Sequence, residues 1–193
     1  MIRPTVEQLT KTMTRLGHKV FTGGELNLVG IRKGSQVSNR FDDTFCLMAC
    51  EDGQWLTAYW PMTTAPGWPH LENGPAKGTA VLKEGQYLGA YKIGLHQGQY
   101  PALVQAGPVT VYRDRNGDHN LDLENPETGY FGINIHRAGG ARPSVQVDRW
   151  SAGCQVLADP LDFALLMALA RESLKVKNYL FTYTLIRESD LEG

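Results

Sequence analysis

The sequence predicts a mainly β fold of the α+β class, and three observations carry that prediction. From Leu26 to His136 the apolar residues fall in short runs separated by Gly, Pro and Asp-Gly or Asn-Gly signals, the pattern of short strands joined by turns. Helical spacing of three and four residues appears only near the two ends of the chain. Strands and helices do not alternate, so a βαβ architecture is not expected.

The first helix is signalled by Thr5 as N-cap, with Val6, Leu9, Met13 and Leu16 on one stripe and Gly17 as the stop. Strands are then expected at Leu26–Arg32, Thr44–Ala49 and Trp55–Trp60, the last two joined by a hairpin at Asp52-Gly53. Two prolines and a glycine make Thr63–Pro69 a loop. Further strands are expected at Thr79–Leu82, Tyr87–Ile93, Ala102–Gln105, Val109–Tyr112 and Tyr130–His136. Asp159-Pro160 opens a second helix, whose buried stripe is Phe163, Leu166, Met167, Ala170 and Leu174. The last strand, Tyr179–Ile186, puts Tyr179, Phe181, Tyr183 and Leu185 on one face. No repeat or polar linker divides the chain. The expectation is one domain over 1–193, with a helical segment at 1–20 and a β-rich body at 25–193.

The 193 residues include 19 Lys+Arg and 20 Asp+Glu, a formal net charge of −1. That balance lacks the basic excess of a nucleic-acid binder. Hydrophobic residues make up 42% of the chain, enough for a packed core. No apolar run reaches the roughly 20 residues of a membrane span. The stretch Met1–Gly17 has no apolar h-region, so no secretory signal peptide is expected.

Three cysteines are too few for a disulfide framework. Cys46 and Cys50 share one face of a strand, roughly 13 Å apart by strand rise, and read as inert core thiols among Phe45, Leu47, Met48 and Ala49. Cys154 differs. It follows Trp150-Ser-Ala-Gly, a small-residue turn whose Ala152, Gly153 and Cys154 N–H groups can converge on an oxyanion. A cysteine nucleophile needs a base, and His136 at the end of an expected strand is the candidate.

His136, fourteen intervening residues and then Ser151-Ala-Gly-Cys154 resemble the signature of the L,D-transpeptidase (YkuD-type) catalytic domain, His-x14–17-[Ser/Thr]-His-Gly-Cys. Gly132-Ile-Asn-Ile-His136 is similar to the family strand that carries the catalytic histidine, and Asp159, Leu161, Leu165 and Leu166 match the helix that follows the cysteine. The resemblance covers residues 79 to 186 in outline and is specific at about 129 to 166. It implies a β-sandwich of this family's type, with a short N-terminal helix and one C-terminal helix packed on the sheet. It also implies a cysteine acyl-transfer enzyme acting on peptidoglycan stem peptides, an L,D-transpeptidase or an L,D-carboxypeptidase/endopeptidase. In that reading Cys154 is the nucleophile and His136 the base, with the Arg137 carbonyl orienting the imidazole. Ala152, Gly153 and Cys154 N–H groups hold the oxyanion, and Ser151 supports the turn. Two positions depart from the pattern: the histidine before the motif glycine is Ala152, and the Arg or Asn two residues beyond the cysteine is Val156. Contacts to a substrate carboxylate therefore fall to Arg137, Arg142 and Arg149, with Trp150 alongside. The alternative from another class is a catalytically silent wall-binding or phage virion module. Without a signal peptide, an enzyme of this kind reaches the wall through a holin, a virion or a secretion machine, and is otherwise cytoplasmic.

Asp114, Asn116, Asp118 and Asp122 alternate as in calcium loops, but His119 stands at the usual glycine and Asn125 at the closing acid. A tight turn at Asn116-Gly117 is the favoured reading. His18, His70, His96 and His119 are scattered, with no zinc spacing, so no cofactor is expected. His96 borders the cleft if its loop faces the site, but a solvated turn histidine is the favoured reading; Trp60, Trp68 and Trp150 read as an exposed glycan-stacking rim or, more commonly for loop tryptophans, as caps on the core edge.

Overall fold

Residues 1–192 are described by a computed structural model. Helix α1 (Val6–Arg15) begins where Thr5 and Gln8 satisfy each other's backbone N–H groups, at 3.1 and 2.8 Å, a capping box. Its buried Leu9 and Met13 pack on Val29, Ile31, Cys46, Met48 and Ile186. Strands β1 (Asn27–Arg32), β2 (Asp43–Glu51) and β3 (Gln54–Thr63) follow. Asp52 and Gly53, at φ 49° and 78°, make the β2–β3 turn, with both central residues on the left-handed side as the strand twist requires.

The expected loop at Thr63–Pro69 is corrected at its end, where α2 (Trp68–Glu72) begins. Pro69 lies in the first turn, where a missing N–H leaves no helical bond unmade. Next come β4 (Thr79–Leu82), β5 (Gly85–His96), β6 (Tyr100–Gln105), β7 (Val109–Asp114), β8 (Glu127–Gly129), β9 (Ile135–Arg137) and β10 (Gln155–Leu157). Asp159 then caps α3 (Pro160–Val176) through Leu161 N–H at 2.8 Å. The last strand is β11 (Phe181–Arg187).

Eight strands close into a barrel in the order β1-β11-β5-β6-β9-β10-β3-β2, and β4-β7-β8 form a separate antiparallel sheet. The mainly β class holds. The two sheets that the resemblance implied as a sandwich are arranged differently, because the larger one curls round until β1 and β11 pair in parallel. Leu28, Phe45, Leu103, Ile135 and Tyr183 of the barrel share a core with Ala80, Leu82, Val109 and Val111 of the second sheet. Phe163, Leu166, Met167 and Ala170 of α3 join the same core, as their spacing predicted.

One strand is shorter than expected. Of Tyr130–His136 only Ile135 and His136 are extended in the barrel, and Gly132 turns the chain at φ 72°. The Gln105 side chain takes the place of a strand partner there: its Oε1 accepts Phe131 and Ile133 N–H at 3.0 and 3.1 Å. No helix among the described residues is long and apolar enough to cross a membrane.

Candidate functional site

β9 and β10 run side by side in parallel, with Gln155 opposite Ile135 and Val156 opposite His136. Gln155 N–H donates to the Asn134 carbonyl at 2.9 Å, so Cys154 comes beside Asn134. Residues two apart on paired strands face the same side, and such diagonal neighbours lie about 7–8 Å apart, within reach of a ring. This register brings Cys154 and His136 onto one face although residues 137–153 separate them in sequence.

The cysteine turn is held from beneath. Ser151 is fully buried; its hydroxyl donates to the Cys154 carbonyl at 2.8 Å and accepts Gly153 N–H at 3.2 Å. Gly153 sits at φ 116°, where an added Cβ would stand 2.2 Å from the Ala80 carbonyl oxygen. Only glycine fits that corner. Of the three N–H groups expected to receive an oxyanion, one already has a partner. Gly153 N–H is engaged by Ser151, whereas Ala152 and Cys154 N–H have no acceptor among the described residues.

His136 is 3% exposed, and its Nδ1 lies 2.8 Å from the Arg137 carbonyl. A carbonyl only accepts, so Nδ1 carries the proton and Nε2 is left with its lone pair. Burial, then the neighbouring His96 and Arg137, hold the imidazole down to about 3, against the opposing Arg137 carbonyl bond. Cys154 keeps partial exposure, yet burial pushes its thiol up to about 11, offset in part by Asn134 N–H. Among the described residues the sulfur's hydrogen-bond partners are the Gly132 carbonyl at 3.4 Å and Asn134 N–H at 3.5 Å, not the imidazole. The resting pair is therefore a neutral thiol beside a neutral imidazole, without a preformed ion pair. Cys46 and Cys50 are buried and free, and burial lifts the Cys46 thiol to about 12.

The arginines separate into two groups. Arg137 and Arg142 line one pocket of about 410 Å³ with Arg171, over Phe163 and Met167. The Arg137 guanidinium lies 4.1 Å from the Tyr100 ring centre. Arg149 is not part of that pocket, and its carbonyl lies 3.2 Å from His70 Nε2, toward α2. Trp150 is 46% exposed and borders a shallow cavity with Arg142. Trp68 is also exposed, but Trp60 is buried, because it faces Phe45 in the barrel. A further cavity of about 490 Å³, lined by Lys33, Arg40, Asp42 and Trp68, shares no residue with the His136–Cys154 site.

Three residues beside His136 were not singled out as site residues in the sequence. His96 is corrected from a solvated histidine to a buried one, 8% exposed, stacked on His136 with ring centres 3.9 Å apart. Asn134 bonds His96 Nδ1 through its side-chain amide at 3.0 Å. Tyr100 Oη lies 3.3 Å from both His136 Nδ1 and the Arg137 carbonyl. Asn134 was legible inside Gly132–His136; the other two come from a hairpin distant in sequence.

No group of three or more His, Cys, Asp or Glu side chains among the described residues is arranged to hold a metal ion. In the loop after β7, Asp118 Oδ1 and Asp122 Oδ2 accept loop N–H groups from Asn120 and Arg115. Asn116 Oδ1 does the same for Asp118. Asp114 Oδ2 accepts Asp122 N–H, while its buried Oδ1 has no partner. Comparison of the chain with family models, with curated proteins and with solved structures finds no match.

Proposed function

We propose that this protein is a cysteine acyl-transfer enzyme acting on peptidoglycan stem peptides, as an L,D-transpeptidase or an L,D-carboxypeptidase/endopeptidase. The observation that carries the reading is the His136 ring: Nδ1–H is fixed on the Arg137 carbonyl, which leaves Nε2 with a free lone pair, and the register puts His136 on the same face as Cys154. In the proposed reaction Nε2 takes the thiol proton as sulfur attacks an amide carbonyl. Ala152 and Cys154 N–H groups receive the oxyanion. Collapse breaks the C–N bond, His136 returns the proton to the departing amine, and a thioester remains on Cys154. Water or an acceptor amine then releases the acyl group. Arg137 and Arg142 offer bidentate contacts to a substrate carboxylate, which suits a chain with a net charge of only −1. Access to the wall through a holin, a virion or a secretion machine belongs to the same proposal.

One observation favours a second reading, a catalytically silent wall-binding or virion module. The thiol and the imidazole are both held neutral and share no hydrogen bond. Intact-protein and product mass spectrometry separates the two. Wild type and Cys154→Ala are incubated with purified muropeptides and with a carbapenem. An acyl adduct and new muropeptides with wild type alone are expected; neither adduct nor product from wild type would sink the enzyme reading.

A further inference from the structure

Two imidazoles stacked face to face are an unusual neighbour for a base. His96 and His136 lie 3.9 Å apart at 22°, and at that separation two like charges repel strongly in a dry site. The hydrogen bonds around them set both tautomers. Asn134 Oδ1 accepts Gln105 N–H at 2.9 Å, which turns the amide nitrogen toward His96 Nδ1 at 3.0 Å. That nitrogen is a donor, so His96 Nδ1 must accept, and the His96 proton sits on Nε2. Charging His96 would force a donor against a donor. Charging His136 would place its cation against the stacked ring and in the field of the Arg137 guanidinium, which lies over Tyr100.

We infer that His96 is a positioning residue for His136: the stacked pair carries one positive charge at most, and His96 keeps the His136 Nε2 unprotonated. Asn134 links this pair to the nucleophile, since its side chain fixes His96 while its backbone N–H points at the Cys154 sulfur. The functional meaning rests on the acyl-transfer reading. The titration of the rings does not.

The groups around the pair come from three places: Tyr100 at the start of β6, 3.3 Å from His136 Nδ1, Arg137 on β9, over the Tyr100 ring, and Cys154 before β10, whose sulfur accepts Asn134 N–H. Asp159 and Arg171 lie farther off, across the pocket that Arg137 lines. Burial holds the Tyr100 hydroxyl and the Cys154 thiol above their ordinary values, and a guanidinium stays charged. Of the groups packed directly on the pair, only the two imidazoles change charge in the acid-to-neutral range. Burial lowers His96 as well.

The experiment is a heteronuclear NMR titration of the histidine side chains from about pH 3 to pH 8, on wild type, His96→Phe and His96→Gln, with a thermal melt of each. Phe keeps a stacked ring and cannot compete for a proton. Gln keeps an acceptor for the Asn134 amide and has no ring. In wild type the His136 ring stays neutral until pH approaches the acid end of the range. In either folded variant its titration moves up by a unit or more, about tenfold in proton concentration. The acid limb of muropeptide turnover moves with it. A His136 titration unchanged in a folded variant overturns the inference and makes His96 a packing residue. A titration that moves while wild type forms no muropeptide adduct keeps the inference and overturns the acyl-transfer reading.

Discussion

Replacing Gly153 by alanine tests the turn that presents Cys154. The new Cβ would meet the Ala80 carbonyl oxygen at 2.2 Å, its carbon at 3.1 Å and Ile133 Cδ1 at 3.4 Å. Relief requires about 1 Å of movement in β4 or in the turn, judged against ordinary contacts of roughly 3.5 Å. Holding a side chain at φ 116° costs about 1–3 kcal/mol, and overpacking a well-filled site costs about 1–3 kcal/mol more. Together they destabilise the fold by about 4 kcal/mol. For a chain of this size each kcal/mol lowers Tm by about 2–4 °C, so a fall of roughly 8–16 °C is expected by circular dichroism. Iodoacetamide labelling of Cys154, followed by mass spectrometry below the transition, should speed up as the sulfur leaves Asn134 and Gly132. A Tm within about 2 °C of wild type together with unchanged labelling would refute the account of this corner.

Three further outcomes are expected. With its thiol raised to about 11, Cys154 should be alkylated about tenfold faster per pH unit from about pH 8 to 10, and a plateau near pH 8 would contradict the burial of the thiol. Glu84 pairs with Arg32 at 2.8 Å and Arg187 at 3.1 Å; burial opposes its ionisation, but the arginines outweigh it and hold the carboxyl below 4.5. That stabilisation is present above the ordinary carboxyl value and is lost as pH falls through the lowered one. Glu84→Gln should therefore cost about 1–3 kcal/mol at neutral pH and lose less stability on acidification than wild type, read by urea melts; parallel pH curves would remove Glu84 from the account. In the loop after β7 the Asn116, Asp118 and Asp122 oxygens already accept hydrogen bonds, so calcium added to EDTA-treated protein should move Tm by less than about 1 °C. A larger rise, lost in Asp118→Asn, would instead give the unpartnered Asp114 oxygen a cation.

The sequence was most readable where a local rule decides the structure. Thr5 and Asp159 at their caps, Asp52-Gly53 in its turn and the α3 stripe needed no distant partner. The barrel was not readable, because closure depends on β11 pairing with β1 across most of the chain. The first part of the expected strand at Tyr130–His136 was lost to a side chain, Gln105, whose competition with a strand partner leaves no mark on hydropathy. At the site, the spacing of His136 and Cys154 was visible, and so was the small-residue turn. Tyr100 was not, and a solvated turn was the favoured reading of His96, since a single histidine in a Gly-flanked hairpin carries no record of what it will stack against. Gly153 N–H was expected to be free because the hydroxyl that captures it, Ser151, can rotate either way until the Cys154 carbonyl fixes it.

The strand that carries His136 and the one that follows Cys154 are also the barrel's seam. β2 and β3 are stitched along nine residue pairs, but β6 meets β9 at one, Leu103 with Ile135, and β10 meets β3 at two. A cylinder so unevenly sewn will part first along its shortest stitches, and local opening follows the least-bonded backbone. Deuterium uptake should therefore enter at β9 and β10 while β2 and β3 stay closed. The two strands can then loosen without unlacing the rest of the wall.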